Sequence, residues 1–316
     1  MLVNLIWGVG FLVVDAAINV MPVHTFNAFR FAAATIALIP LMLISRKNNK
    51  PEQRQYSEIE MIKVGFGLGF LLFLGFSLQA QALLYTTVSN TGFITGLCVP
   101  LVPIIGFLLY KTRVGHEVWI GVIAATAGLY FLTIGDKMVF NTGDLLAAIS
   151  AVCYAAHIAL IAKYGAKYCV VELSVIQLAS TALYCMLATT AESILGNNAG
   201  YPPLYDQLSN PGVIAAIAYS GILASAFAYW VQTASQRLIP PHQIALIFAT
   251  EPVFAHIAAY FILAEKLGPQ GWLGAALIVA GMLYVELGGR QKVVLQPLDQ
   301  VAATIDFDSD DDPPQK

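Results

Sequence analysis

In ALIFATEPVFAHIAAYFILAEKLG, residues 245–268, an apolar run long enough to cross a bilayer carries Glu251 and Pro252 side by side near its middle. Counted from residue 241, Glu251 lies about 15 Å along a helix. A carboxylate at that depth costs roughly 3 kcal/mol on insertion scales, so it faces protein or water, or stays protonated. Pro252 has no amide hydrogen to donate and frees the carbonyl one turn back, near Phe248. The pair makes a polar, bendable spot in the wall of a central cavity, where Glu251 can exchange a proton or meet a solute. The alternative is a kinked packing helix whose glutamate is hydrogen-bonded inside the bundle.

Other residues could serve the same chemistry. Arg30 is the one basic residue well inside an apolar run. Asp15 precedes Pro22 by about as many residues as Arg30 follows it, which in a helical hairpin sets the two at similar depth. Two readings stay open: a structural Asp15–Arg30 ion pair, or Arg30 as the anchor for a solute carboxylate or phosphate. His157 and His256 titrate near neutrality and suit proton relay, although a lone intramembrane histidine is commonly a hydrogen-bonded core group. Gln232, in WVQT, is the leading neutral solute contact, and Trp7 and Tyr85 suit an apolar cavity wall or packing. Pro100, on the run equivalent to that of Pro252, pairs with it as a hinge candidate.

The chain lacks HExxH, GxxxxGK[ST] and GxSxG. Cys98, Cys153, Cys169 and Cys185 lie in or beside apolar runs without a CxxC, so no metal centre, disulfide framework or cofactor is expected. The chain reads as a non-enzyme. GFGLGF at 65–70 lies inside a run and reads as close helix packing.

These residues need elements to hold them. The composition, 58% hydrophobic against 11% charged, leaves too little polar surface for a soluble fold of 316 residues. Apolar runs predict spans at 2–20, 22–45, 60–83, 88–110, 115–134, 142–164, 170–195, 211–237, 241–264 and 268–287. The first run lacks a basic leader and a small-residue cleavage site, so it is read as a span, and its abrupt start leaves room for a longer natural N-terminus. With the N-terminus inside, inner connections and the C-terminal tail hold thirteen Lys and Arg, while the outer ones hold only Lys137 and Lys266. Both termini are therefore expected in the cytoplasm, with the chain in the plasma or inner membrane. The net charge of −3 resides in residues 289–316, an acidic tail expected to be disordered; nothing basic remains to grip nucleic acid.

An internal repeat is visible. Trp119, Gly121, Gly128 and Gly135 match Trp272, Gly274, Gly281 and Gly288 at a constant 153-residue offset, and Pro100 matches Pro252 at 152. Five spans per half is odd, so the second half enters the membrane from the opposite side. The expected fold is all-α and membrane-integral, with ten transmembrane helices as two inverted five-helix repeats, 1–135 and 142–288. That architecture places a substrate site between the halves.

The pieces NAFRFAAATIALIPL at 27–41, FAYWVQTASQR at 227–237, IALIFATEPVFA at 244–255 and AEKLGPQGWLGAALIVAGMLY at 264–284 resemble the drug/metabolite transporter superfamily, in its EamA-type branch. The resemblance covers residues 2–288. It implies carriage of small organic metabolites or drugs, such as amino acids, with export favoured and alternating access as the mechanism. Partners are the solute and the lipid bilayer, and the glycine-rich helices leave a homodimer open. The rival class is an integral-membrane enzyme or a non-transporting, receptor-like scaffold, which should show catalytic groups clustered at one membrane face.

Overall fold

The computed structural model describes residues 1–48, 56–111, 114–133, 141–196, 200–254, 257 and 268–293. Among these residues the regular structure is all helical. In hydrocarbon a chain must satisfy its amides and carbonyls internally, and uninterrupted apolar runs do so as helices. The first half gives α1 (Leu2–Ile18), α2 (Val23–Asn48), α3 (Glu58–Ala82), α4 (Val88–Gly96), α5 (Cys98–Tyr110) and α6 (His116–Thr133). The second gives α7 (Thr142–Tyr164), α8 (Val170–Ile194), the short α9 (Leu204–Ser209) and α10 (Pro211–Ala218). A π-helix (Tyr219–Phe227) then joins α10 to α11 (Ala228–Ser235), followed by α12 (Pro241–Phe248) and α13 (Pro269–Val293).

Polar residues just outside the runs start the helices. The Thr87 hydroxyl accepts from the Asn90 amide at 3.1 Å. Asn141 and Asp144 each accept the other's backbone amide, a reciprocal cap on α7. Asn210 accepts from Gly212 at 2.8 Å, with Pro211 in the first turn of α10.

Among the described residues, six helices are long and apolar enough to cross a membrane, counting α4–α5 and α10–α11 as one each. The expected count of ten goes further. Helix α1 has 17 residues, and the run from 241 is interrupted at Ala249–Thr250 and leaves the described residues after 254. Helix α13 continues to Val293, so the expected tail is helical over 289–293, and 294–316 lie outside the described residues.

Helix α2 packs on α8, α3 on α7 and α8, and α6 on α13. Glycines let these pairs close. A Cβ on Gly69 would stand 2.5 Å from the Gln177 carbonyl oxygen, and one on Gly65 would meet Ile176. GFGLGF thus seats α3 on α8. A Cβ on Gly75 would meet the Tyr154 ring at 2.7 Å, so that glycine admits a cavity residue to its place.

Ion pairs cluster at the helix ends. Arg46 meets the buried Glu172 at 3.2 Å, and Lys167 meets Glu60 at 2.8 Å. The hydrogen bond to Glu60 raises Lys167 above the ordinary lysine range. At the opposite end His24 lies 3.8 Å from Glu192 and 3.1 Å from Gln81.

Candidate functional site

A cavity of about 110 Å³ opens at the centre of the bundle. This is large enough to hold several waters. Both halves of the chain build it. Helix α1 offers one face, Trp7, Gly10, Phe11 and Val14, and α2 offers Asn27 and Arg30, one turn apart. Phe76 and Gln79 come from α3, and Thr95, Gly96 and Cys98 from the α4–α5 junction. From the second half come Tyr154 and His157 of α7, Ser220 and Ala224 of the π-helix, and Tyr229 and Gln232 of α11. Phe248, Glu251 and Pro252 complete the wall.

Arg30 is 4% exposed and held by two devices. Its Nε donates to Ser225 Oγ at 2.9 Å, and its guanidinium carbon lies 4.4 Å from the Phe76 ring centroid. Gly221 makes this possible, since a Cβ there would stand 2.8 Å from the Arg30 carbonyl oxygen. The expected ion pair with Asp15 is not formed among the described residues. Depth suggested it, but Asp15, one turn beyond Phe11 on α1, is not among the cavity residues. Tyr154 and Tyr229 stand within electrostatic reach of both Arg30 and Glu251.

Two helix interruptions flank the cavity. Helix α4 breaks at Leu97, three residues before Pro100, and α12 ends at Phe248 with a turn at Ala249–Thr250 before Pro252. Each proline removes one amide donor to the preceding turn, and the breaks at 97 and 249 repeat the 152-residue offset of the prolines. The second break is tied to α1. Buried Asn4 donates to the Ile247 carbonyl and to Thr250 Oγ1, the latter at 2.7 Å, and Thr250 donates to the Ile247 carbonyl. Trp7 Nε1 donates to the Ala224 carbonyl at 2.8 Å and its ring meets Phe248 edge-on at 4.9 Å. Tyr219 Oη donates to the Ile6 carbonyl at 2.8 Å. Helix α1 thus fastens to both irregular segments of the second half.

His157 Nε2 lies 3.0 Å from Gln177 Oε1, and Gln177 donates to Thr233 Oγ1 at 3.3 Å, which links α7, α8 and α11. Gln232 donates to Gln236 at 3.2 Å, and Gln236 to the Ile158 carbonyl at 2.9 Å. Tyr85 is not among the cavity residues: it follows α3 at 61% exposure. His256 lies outside the described residues.

Several cavity residues escaped the sequence reading. Both amide atoms of Asn27, and the side-chain oxygens Thr95 Oγ1 and Ser220 Oγ, are buried with no partner in the protein; Gln232 Oε1 joins them. Buried polar groups are ordinarily satisfied, so four such residues around one cavity point to water or solute as the missing partner. The Asn27–Arg30 spacing, one helical turn, was the available signal.

The sequence model of the EamA-like transporter family matches residues 1–134 and 141–287. An uncharacterized transporter of Archaeoglobus fulgidus is 31% identical over 286 residues, covering 90% of this chain and 84% of that protein. The uncharacterized transporter YwfM of Bacillus subtilis is 24% identical over 279 residues, 84% of this chain and 85% of the relative. A WAT1-related protein of Arabidopsis thaliana is 32% identical over 158 residues, 48% of this chain and 37% of its own length. A crystal structure of a protein superposes with a TM-score of 0.69 at 17% identity, covering 90% of this chain and 98% of that one, a likeness of fold. With the apolar helices and the central cavity, these matches establish a multi-pass membrane transporter: the chain belongs to the EamA-like transporter family, within the drug/metabolite transporter superfamily.

Proposed function

We propose that this transporter is a secondary carrier of small organic metabolites or drugs, amino acids among them, with export as its direction. It works by alternating access between two inverted five-helix halves, 1–135 and 142–288, ten spans in all, with both termini in the cytoplasm and the chain in the plasma or inner membrane. The observation that carries this reading is the pair of helix breaks before Pro100 and Pro252, one from each half, on either side of a shared cavity. Broken helices at a repeat interface are the usual place for a transported solute to bind, because their freed carbonyls line water-filled space. Such breaks bend at low cost, which suits Pro100 and Pro252 as hinges. Glu251 and Arg30 are the leading coupling and binding groups, with Gln232, His157 and Trp7 around them.

The transporter names of the relatives weigh against an enzyme. Outside residues 289–316 the charges balance, so no basic excess favours nucleic acid as a partner. Gly65, Gly69, Gly121, Gly128 and Gly281 make contacts within the chain, so a homodimer would form through other surfaces. An uptake and efflux screen of amino acids, nucleosides and cationic drugs in reconstituted vesicles tests the proposal. Saturable movement of at least one class above protein-free vesicles is expected; leakage alone across all classes would overturn it.

A further inference from the structure

Helices α2 and α8 come one from each half, run antiparallel, and are finished alike at both ends of their contact. At one end Arg46 of α2 meets Glu172 in the first turn of α8 at 3.2 Å, and beside them Ser45 Oγ lies 3.3 Å from Cys169 Sγ. At the other end His24, in the first turn of α2, lies 3.8 Å from Glu192 in the last turn of α8. Beside that pair the Thr25 and Thr189 hydroxyls lie 3.4 Å apart. The two ends differ in the base. An arginine is always charged, whereas a histidine pairs with a carboxylate only after taking up a proton.

The pair at His24 is open. At 3.8 Å its Nδ1 is out of hydrogen-bond reach of Glu192 and has no hydrogen-bond partner, while Nε2 lies 3.1 Å from the side-chain amide of Gln81 on α3. The Glu192 side chain is 29% exposed, so the solution at this face reaches the pair. Glu192 is the charged group among the described contacts of His24; α3 adds Gln81 and, at 5.9 Å, the Phe73 ring, both neutral. Helices α1 and α10 and the π-helix also pack on α2, and none brings a charged group into a described ion pair with His24.

A protonated ring donates from both nitrogens. Nδ1 then closes on the carboxylate, toward the roughly 2.8 Å of a charge-assisted bond, and Gln81 turns its amide to offer Nε2 its oxygen. The start of α2 is thereby drawn about 1 Å toward α8. Asn27, one turn on, and Arg30 line the cavity from α2, whereas α8 supplies none of the cavity residues described. Movement toward α8 is therefore movement away from the cavity. Val14, Leu83 and Gly92 set the cavity wall beside the same end, near the ends of α1 and α3 and the start of α4. We propose that His24 is a proton-operated positioning residue: a proton taken from the solution at its face closes it on Glu192, draws the start of α2 onto α8 and widens the cavity mouth at that end. Arg46–Glu172 has no such step and serves as the fixed end. The topology proposed above makes the His24 face the outer one, and the proton an external one.

The test follows Cys98, which lines the cavity, in the full chain with Cys153, Cys169 and Cys185 changed to serine. Its modification by a small charged thiosulfonate is timed in right-side-out vesicles at an external pH of about 8 and of about 5.5, either side of the ordinary histidine range. Each rate is divided by that of His24→Gln at the same pH, which cancels the titration of Cys98 and Glu251 common to both. External acid should raise this ratio at least threefold. Glu192→Gln, which keeps the histidine but removes its partner, should flatten the ratio, and it replaces His24→Gln as the reference should that variant not fold. His24→Arg copies the opposite end and should hold the acid value at both pH settings. Arg46→Gln should lower thermal stability yet keep the pH profile, which a merely structural role for both pairs does not predict. A ratio that rises with acid on neither face of the membrane, or a rise that survives Glu192→Gln, overturns the inference. Inside-out vesicles separate it from the topology: a rise seen only there keeps the switch and reverses the orientation of the chain.

Discussion

Gly121 and Gly281 touch through their backbones where α6 crosses α13. A Cβ on Gly281 would stand 2.7 Å from the Gly121 carbonyl oxygen, and one on Gly121 would stand 2.8 Å from that of Gly281. A turn or two away, a Cβ on Gly128 would stand 2.6 Å from the Gly274 carbonyl oxygen. The 153-residue offset carries Gly121 to Gly274 and Gly128 to Gly281, so each contact is the repeat image of the other. Such reciprocity is what a local two-fold axis between the helices requires.

The crossing makes a stability prediction. Gly281→Ala places its methyl against a carbonyl that cannot swing aside, and should cost about 1–3 kcal/mol. Gly67, where an added Cβ would meet nothing within 4 Å, is the control. Gly67→Ala should leave stability unchanged or raise it by up to about 1 kcal/mol, since alanine is the better helix former. Thermal unfolding of the two variants in one detergent decides; equal melting temperatures would contradict the packing account.

Asn4 holds the break before Glu251. Asn4→Ala removes two hydrogen bonds, one buried and one partly buried, and leaves Thr250 without its donor, an expected loss of about 1–3 kcal/mol. Because the two residues share a bond, adding Thr250→Val should cost much less than it does alone. A double-mutant cycle on thermal stability measures that coupling. Additive losses would mean that the latch is not there.

Asp15 and Arg30 should separate cleanly. Asp15→Asn is expected to keep both stability and vesicle flux, because Arg30 is held by Ser225 and Phe76. Arg30→Gln should abolish flux, and adding Asp15→Asn should not rescue it. Rescue in the double variant would restore the ion pair as the working arrangement.

The coupling role of Glu251 has its own signature. Glu251→Gln keeps shape and hydrogen bonding but cannot titrate. Net flux should no longer respond to an imposed pH gradient, while solute exchange persists. Wild-type, pH-driven flux in this variant would reduce Glu251 to a structural or solute-binding group.

Polarity against hydrocarbon made part of the site legible in the sequence. Glu251, Arg30, His157 and Gln232 stand out because each is expensive in a membrane without a partner, and all four line the cavity. The prolines marked the interruptions for the same reason. Asp15 misled because matching depth along two helices does not fix the distance between their side chains. Asn27 and Ser220 give no such signal, since small polar residues are common where transmembrane helices pack. The π-helix over Tyr219–Phe227 left no trace at all: YSGILASAF is as apolar as an ordinary helix, and the segment's hydrogen bonds to Arg30, Ile6 and Trp7 are tertiary.

Access to the cavity from both faces is the central claim, and Cys98 reports on it directly. It lines the cavity and is 8% exposed. With Cys153, Cys169 and Cys185 changed to serine, a small charged thiosulfonate can be applied to right-side-out and inside-out vesicles. The account predicts that Cys98 is modified from either side, and that saturating transported solute slows the reaction from both. Modification from one side only, whatever the solute, would contradict alternating access.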